Sequence, residues 1–123
     1  MNTEIEQNIL NSYCIELEVT DAWQLPAIYK IYKEGTNVQI NELCFFSELN
    51  EEEYKNFIEK VLSYKVQNWE NNYMLKVGEK PEEEYTWKLV IYYNENKKII
   101  KRGKDTSPEE FADFEEFLIE VTE

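Results

Sequence analysis

The side chains best able to do chemistry are carboxylates. They occur as Glu51-Glu52-Glu53, Glu82-Glu83-Glu84 and Glu109-Glu110, then as Asp113, Glu116 and Glu120 at helical spacing. A converging pair could act as acid and base on a glycosidic bond, but only across a cleft. Among 26 acidic residues, a pair along the chain carries no information. There is no histidine, which removes a histidine general base, Ser-His and Cys-His dyads, and histidine metal ligands. Gly35, Gly78 and Gly103 are isolated, so a glycine-rich phosphate loop is excluded. Cys14 and Cys44 lack metal-ligand spacing. Each suits a small core position, and a disulfide is the lesser option in a chain without an export signal. No enzymatic activity, cofactor or metal is expected.

Acidic residues outnumber the 13 basic ones two to one, for a formal charge of −13. Such a surface repels nucleic acid bound through phosphates. At 42 % hydrophobic and 15 % aromatic, the chain is too apolar for a disordered acidic tail. Five basic residues fall in Lys97-Lys98-Ile99-Ile100-Lys101-Arg102-Gly103-Lys104. They read as counter-charge to the acidic stretch that follows, and as protection for an edge strand.

The carboxylates need elements to position them. Thr86–Tyr93 alternates Trp87, Leu89, Ile91 and Tyr93 with Lys88, Val90 and Tyr92, the pattern of a half-buried strand. Asn94-Glu95-Asn96-Lys97 supplies the turn, and 98–102 returns as the partner strand. Ser107, Pro108 and Glu110 form a capping-box signature for a helix from Pro108 to Val121. Its apolar stripe is Phe111, Phe114, Phe117, Leu118 and Val121.

Earlier in the chain, 27–33 and 38–43 read as a second hairpin. A helix capped by Asn50 then runs toward Gly78, with a kink expected around 63–68. The order strand, turn, strand, capped acidic helix thus occurs twice, a candidate ββα pseudo-duplication. The first twenty residues read as a short helix and then a strand over 13–19. The expected fold class is α+β in a single domain over 1–123: an antiparallel sheet of four to five strands with helices packed on one face.

Carboxylates at helix starts complement the helix dipole. Glu82, Glu83 and Glu84 are expected in a loop, where no dipole explains them. Asp113, Glu116 and Glu120 stack like charges along one helix side, which costs stability. Both groups are candidate partner-binding residues, with Tyr92 as an exposed aromatic anchor. By physical type the chain suits a small acidic inhibitor of a basic nucleic-acid-processing protein. Examples are a toxin immunity protein, or a phage-encoded anti-CRISPR or nuclease inhibitor that mimics nucleic acid. The alternative is a small-molecule or nucleotide-sensing module, or a structural subunit, using an aromatic sheet face. Neither a membrane segment nor direct nucleic-acid contact is expected; a cytoplasmic monomer or homodimer is.

Overall fold

The computed structural model describes residues 3–21, 26–40, 43–80 and 84–122. Along the chain these form α1 (Thr3–Leu10), β1 (Ser12–Thr20), β2 (Pro26–Tyr32), β3 (Gly35–Ile40), β4 (Leu43–Glu48) and α2 (Glu51–Ser63). A 3-10 turn at Val66–Asn68 follows, then β5 (Asn72–Met74), β6 (Thr86–Tyr93), β7 (Lys97–Lys104) and α3 (Phe111–Thr122). The class is α+β, but the sheet is larger than expected: seven strands in the order β4-β3-β2-β1-β6-β7-β5. It is also mixed, because β5 runs parallel to β7.

Alternation decides which face is covered. Ile15, Leu17, Tyr29, Ile31, Leu89 and Ile91 point to one side and pack with Phe57, Ile58, Val61, Phe111, Phe114 and Leu118 of α2 and α3. The helix-free side carries Lys30, Lys88, Lys98, Arg102 and Lys104 beside Glu16 and Glu18. There Glu16 lies opposite Lys30, and Glu18 opposite Lys88, which in turn faces Arg102. Cross-strand pairs of opposite charge stabilise such a face by roughly 0.2–1 kcal/mol each.

The β6–β7 hairpin forms as expected, with Asn94 supplying the left-handed turn at φ 52. Asn50 caps α2: its side chain accepts from the Glu53 N–H at 2.7 Å, and the Glu53 carboxylate accepts from the Asn50 N–H at 3.1 Å. This helix does not continue toward Gly78. Lys65 turns left-handed at φ 61, and Tyr73, expected on the helical stripe, lies in β5. The start of the last helix also shifts, by one turn. Ser107 Oγ accepts from the Tyr85 hydroxyl at 2.8 Å rather than capping a helix, and α3 begins at Phe111. Gly103 is required by close approach: a Cβ there would strike the Trp87 indole and the Thr106 carbonyl, between which a 2.9 Å hydrogen bond runs.

The cysteines part company. Cys44 is exposed on β4, contrary to the core position expected, whereas Cys14 is buried, and both are free. Burial pushes the Cys14 thiol up from 9.0 to about 11. A folded-state value above the unfolded one adds stability that is complete below pH 9 and lost as pH rises to about 11. The loss is about 3 kcal/mol. Urea melts at successive pH values above 9 should therefore show a shallower decline for Cys14→Ala than for the parent chain. An unchanged slope contradicts this. Among the described residues, no helix is long and apolar enough to cross a membrane.

Candidate functional site: an acidic helix surface around Tyr64

Ten of the 26 acidic side chains lie on the helices. Four carboxylates lie on α2 (Glu51, Glu52, Glu53, Glu59) and four on α3 (Asp113, Glu115, Glu116, Glu120), with Glu4 and Glu6 on α1. Only Lys55 and Lys60 oppose them within these helices. Charge is therefore split between the layers, anionic on the helices and largely cationic on the bare sheet face.

On α3, Phe111, Phe114 and Leu118 turn into the core, so the 3.6-residue period puts Asp113, Glu116 and Glu120 on the outside, where all three are exposed. Beside them stands Tyr64, the residue that closes α2. Its ring is half-buried, edge-on to Phe114 at 5.8 Å and 5.5 Å from Phe117, with the Lys60 ammonium 5.8 Å from its centroid. Burial holds the Tyr64 phenol above its ordinary range, and the carboxylates of Asp113, Glu120 and Glu116 push it further. Three anions thus lie within electrostatic reach of one phenol. A flat ring bordered by carboxylates suits a guanidinium or ammonium group, through its quadrupole and through charge-assisted hydrogen bonds.

The other flank of α3 carries Glu115, a half-buried carboxylate that desolvation pushes up. Burial raises the Tyr29 phenol on the covered face of β2, and Glu115 raises it further. Among the described residues no side chain hydrogen-bonds the Glu115 carboxylate. A raised carboxyl favours folding only below its ordinary range, near 4.5, and costs stability once both states are ionised. Glu115→Gln should therefore raise the thermal midpoint at neutral pH, with the gain shrinking toward pH 4; a lowered midpoint would contradict it.

The residues singled out in the sequence do not form one site. Asp113, Glu116 and Glu120 come together. Glu84 is exposed at the edge of a cleft of about 300 Å³ that it shares with Thr20, Asp21, Tyr85 and Lys104. Glu82 and Glu83 lie outside the described residues. Tyr92 points to the helix-free face, away from α3, and is half-buried rather than exposed. Its hydroxyl donates to Glu16 at 3.3 Å, and its ring lies 6.2 Å from that of Tyr13. Tyr64 escaped the sequence reading because it sits off the apolar stripe of α2. The break at Ser63–Asn68 was the signal for it, since a helix end presents its last side chain sideways.

No family model matches the chain, and no curated protein or solved structure matches it. The chemistry must be read from the molecule itself. Of the other concavities among the described residues, two lie against the helices. One of about 410 Å³ lies between Leu10, Ser12, Lys33, Tyr54 and Ile58. Its floor is closed by a buried 3.1 Å hydrogen bond between Ser12 Oγ and the Tyr54 hydroxyl, a phenol that desolvation raises strongly. The other, about 450 Å³, runs under the end of α3 along Tyr29, Val38, Ile40, Phe45 and Ile119. Among the described residues no cluster of three or more His, Cys, Asp or Glu side chains is placed to hold a metal ion.

Proposed function

We propose that this protein is a non-catalytic binder that neutralises a basic, nucleic-acid-processing partner through the acidic surface of α3. The supporting observation is that Asp113, Glu116 and Glu120 share the exposed side of a helix anchored by fully buried Phe114 and Leu118, with Tyr64 packed beside them on Phe114 and Phe117. Carboxylates on a rigid helix hold fixed spacings, as phosphates do along a nucleic-acid strand, so the surface competes for a cationic nucleic-acid site. Like charges at i, i+3 and i+4 destabilise α3 by a few tenths of a kcal/mol per pair. A partner's lysines and arginines reverse that cost on binding. Glu84 is assigned to the rim of the contact, Glu82 and Glu83 remain candidates from the sequence alone, and Tyr64 replaces Tyr92 as the aromatic anchor.

The test is an affinity column carrying the intact chain, challenged with native-host lysate beside a column carrying Asp113→Asn/Glu116→Gln/Glu120→Gln. A basic nucleic-acid enzyme retained only by the parent column, and inhibited by the free protein, is the expected result. Equal retention by both columns, or retention without inhibition, overturns the assignment.

A further inference from the structure

We propose that β4 is a self-pairing edge, through which two copies of this chain join into one continuous antiparallel sheet. Every residue of β4 is exposed, and among the described residues its outer side faces no other strand. Phe46 is 69 % exposed, Leu43 62 % and Phe45 51 %. Edge strands usually discourage pairing with lysine, proline or a bulge. Here Leu43-Cys44-Phe45-Phe46-Ser47 carries no charge or proline, and its register with β3 is unbroken.

The ladder shows which groups are free. The Leu49 N–H donates to the Glu34 carbonyl at 3.1 Å, so that pair is hydrogen-bonded and alternate pairs along the register follow it. Leu43, Phe45 and Ser47 therefore turn their backbone groups toward β3, while Cys44, Phe46 and Glu48 turn theirs outward. A two-fold axis at Phe46, perpendicular to the sheet, places Phe46 opposite its own copy and Cys44 opposite Glu48 of the second chain. In that register all six outward-facing residues of the two copies exchange backbone hydrogen bonds, and no two like charges are opposed.

The area is adequate for a second copy. Phenylalanine side chains bury about 150–250 Å² when fully covered. The exposed parts of Phe45, Phe46 and Leu43, with the remaining β4 side chains and backbone, give roughly 500 Å² per copy. The total of about 1,000 Å² reaches the lower limit for a specific interface. The axis keeps both helix layers on one side, so the pair would present two acidic α3 surfaces in the same direction.

Self-pairing and partner binding respond oppositely to salt. Each copy carries −13, so screening relieves repulsion between copies and should tighten the dimer. Analytical ultracentrifugation of the intact chain across concentration and salt is the test. A reversible dimer strengthened by salt is expected. Phe46→Lys should raise its dissociation constant at least about 10-fold. Phe46→Thr, which retains strand preference, should act in the same direction, and Met74→Lys on the opposite edge should leave the dimer intact. Circular dichroism of dilute samples should be unchanged in all three. A monomer at every concentration and salt overturns the proposal and leaves the edge to a foreign strand, as does a dimer indifferent to both Phe46 variants. Neither result bears on the α3 surface, whose residues are unaltered.

Discussion

Phe114→Ala should lower folding stability by about 3–5 kcal/mol, the range for truncating a fully buried aromatic ring. Phe114 is wholly inaccessible and meets two rings edge-on, Trp69 at 5.3 Å and Tyr64 at 5.8 Å. Trp69 continues to Trp87 at 6.0 Å, and Trp87 packs on Phe111 at 4.7 Å. One aromatic chain thus joins the end of α2, the 3-10 turn, β6 and α3. The vacancy left by alanine is lined by large rings locked by their own neighbours, so collapse around it should be poor. For a domain of this size the thermal midpoint should fall by roughly 10–15 °C. Calorimetry checks this, and a fall below about 3 °C would contradict the packing described. Tyr64 would lose its edge-on support, so partner binding should weaken as well.

Lys101 should be the most sensitive charged residue. It lies on the covered face of β7 and is 4 % exposed. Its ammonium donates to the Trp69 carbonyl at 2.7 Å and to Asn71 Oδ1 at 2.9 Å, fastening the segment before β5 to β7. The sequence leads one to expect it to counter the acidic stretch and guard an edge strand; instead β7 lies between β6 and β5, and both hydrogen-bond acceptors of Lys101 are neutral. Desolvation lowers its pKa, so the unfolded chain holds this proton to higher pH than the folded one. Its contribution to stability therefore rises with pH toward 10.5, against the falling contribution of Cys14. Lys101→Ala leaves two acceptors unmatched beside a cavity and should cost about 3 kcal/mol or more. Lys101→Met fills the space and removes the buried charge, so it should cost markedly less. Chemical denaturation of both variants at neutral pH separates the contributions; equal losses would show that the hydrogen bonds, which both variants remove, and not packing, are what Lys101 supplies.

Much of this architecture was legible in residue order, because β6, β7 and the start of α2 carry signals that need no tertiary context. Alternating Trp87, Leu89 and Ile91, an asparagine at the turn and an Asn50–Glu53 box are local physics. Two strands were not legible. β4 lacks alternation because apolar residues point to both faces, Leu43 and Phe45 to one and Cys44 and Phe46 to the other. β5 is three residues long, too short for a period, and is held by Lys101 from a distant strand. The Ser107 cap was lost to a competitor, the Tyr85 hydroxyl, 22 positions away in sequence. At the site, the helical spacing of Asp113, Glu116 and Glu120 was readable, and so was the face of Tyr92, which it shares with Lys88 and Val90 away from the apolar Leu89 and Ile91. Its half-burial was not readable, because that depends on Tyr13 and Glu16 of the neighbouring strand.

The decisive measurement is the association rate of the purified chain with its captured partner, for the parent and for Asp113→Asn/Glu116→Gln/Glu120→Gln, at about 50 mM and about 300 mM salt. Carboxylates gathered around Tyr64 should speed encounter, so the variant should associate at least about 10-fold more slowly in low salt. The two rates should converge in high salt, with dissociation less affected than association. Equal association rates in low salt would show that these charges serve solubility, and that recognition resides elsewhere on the molecule.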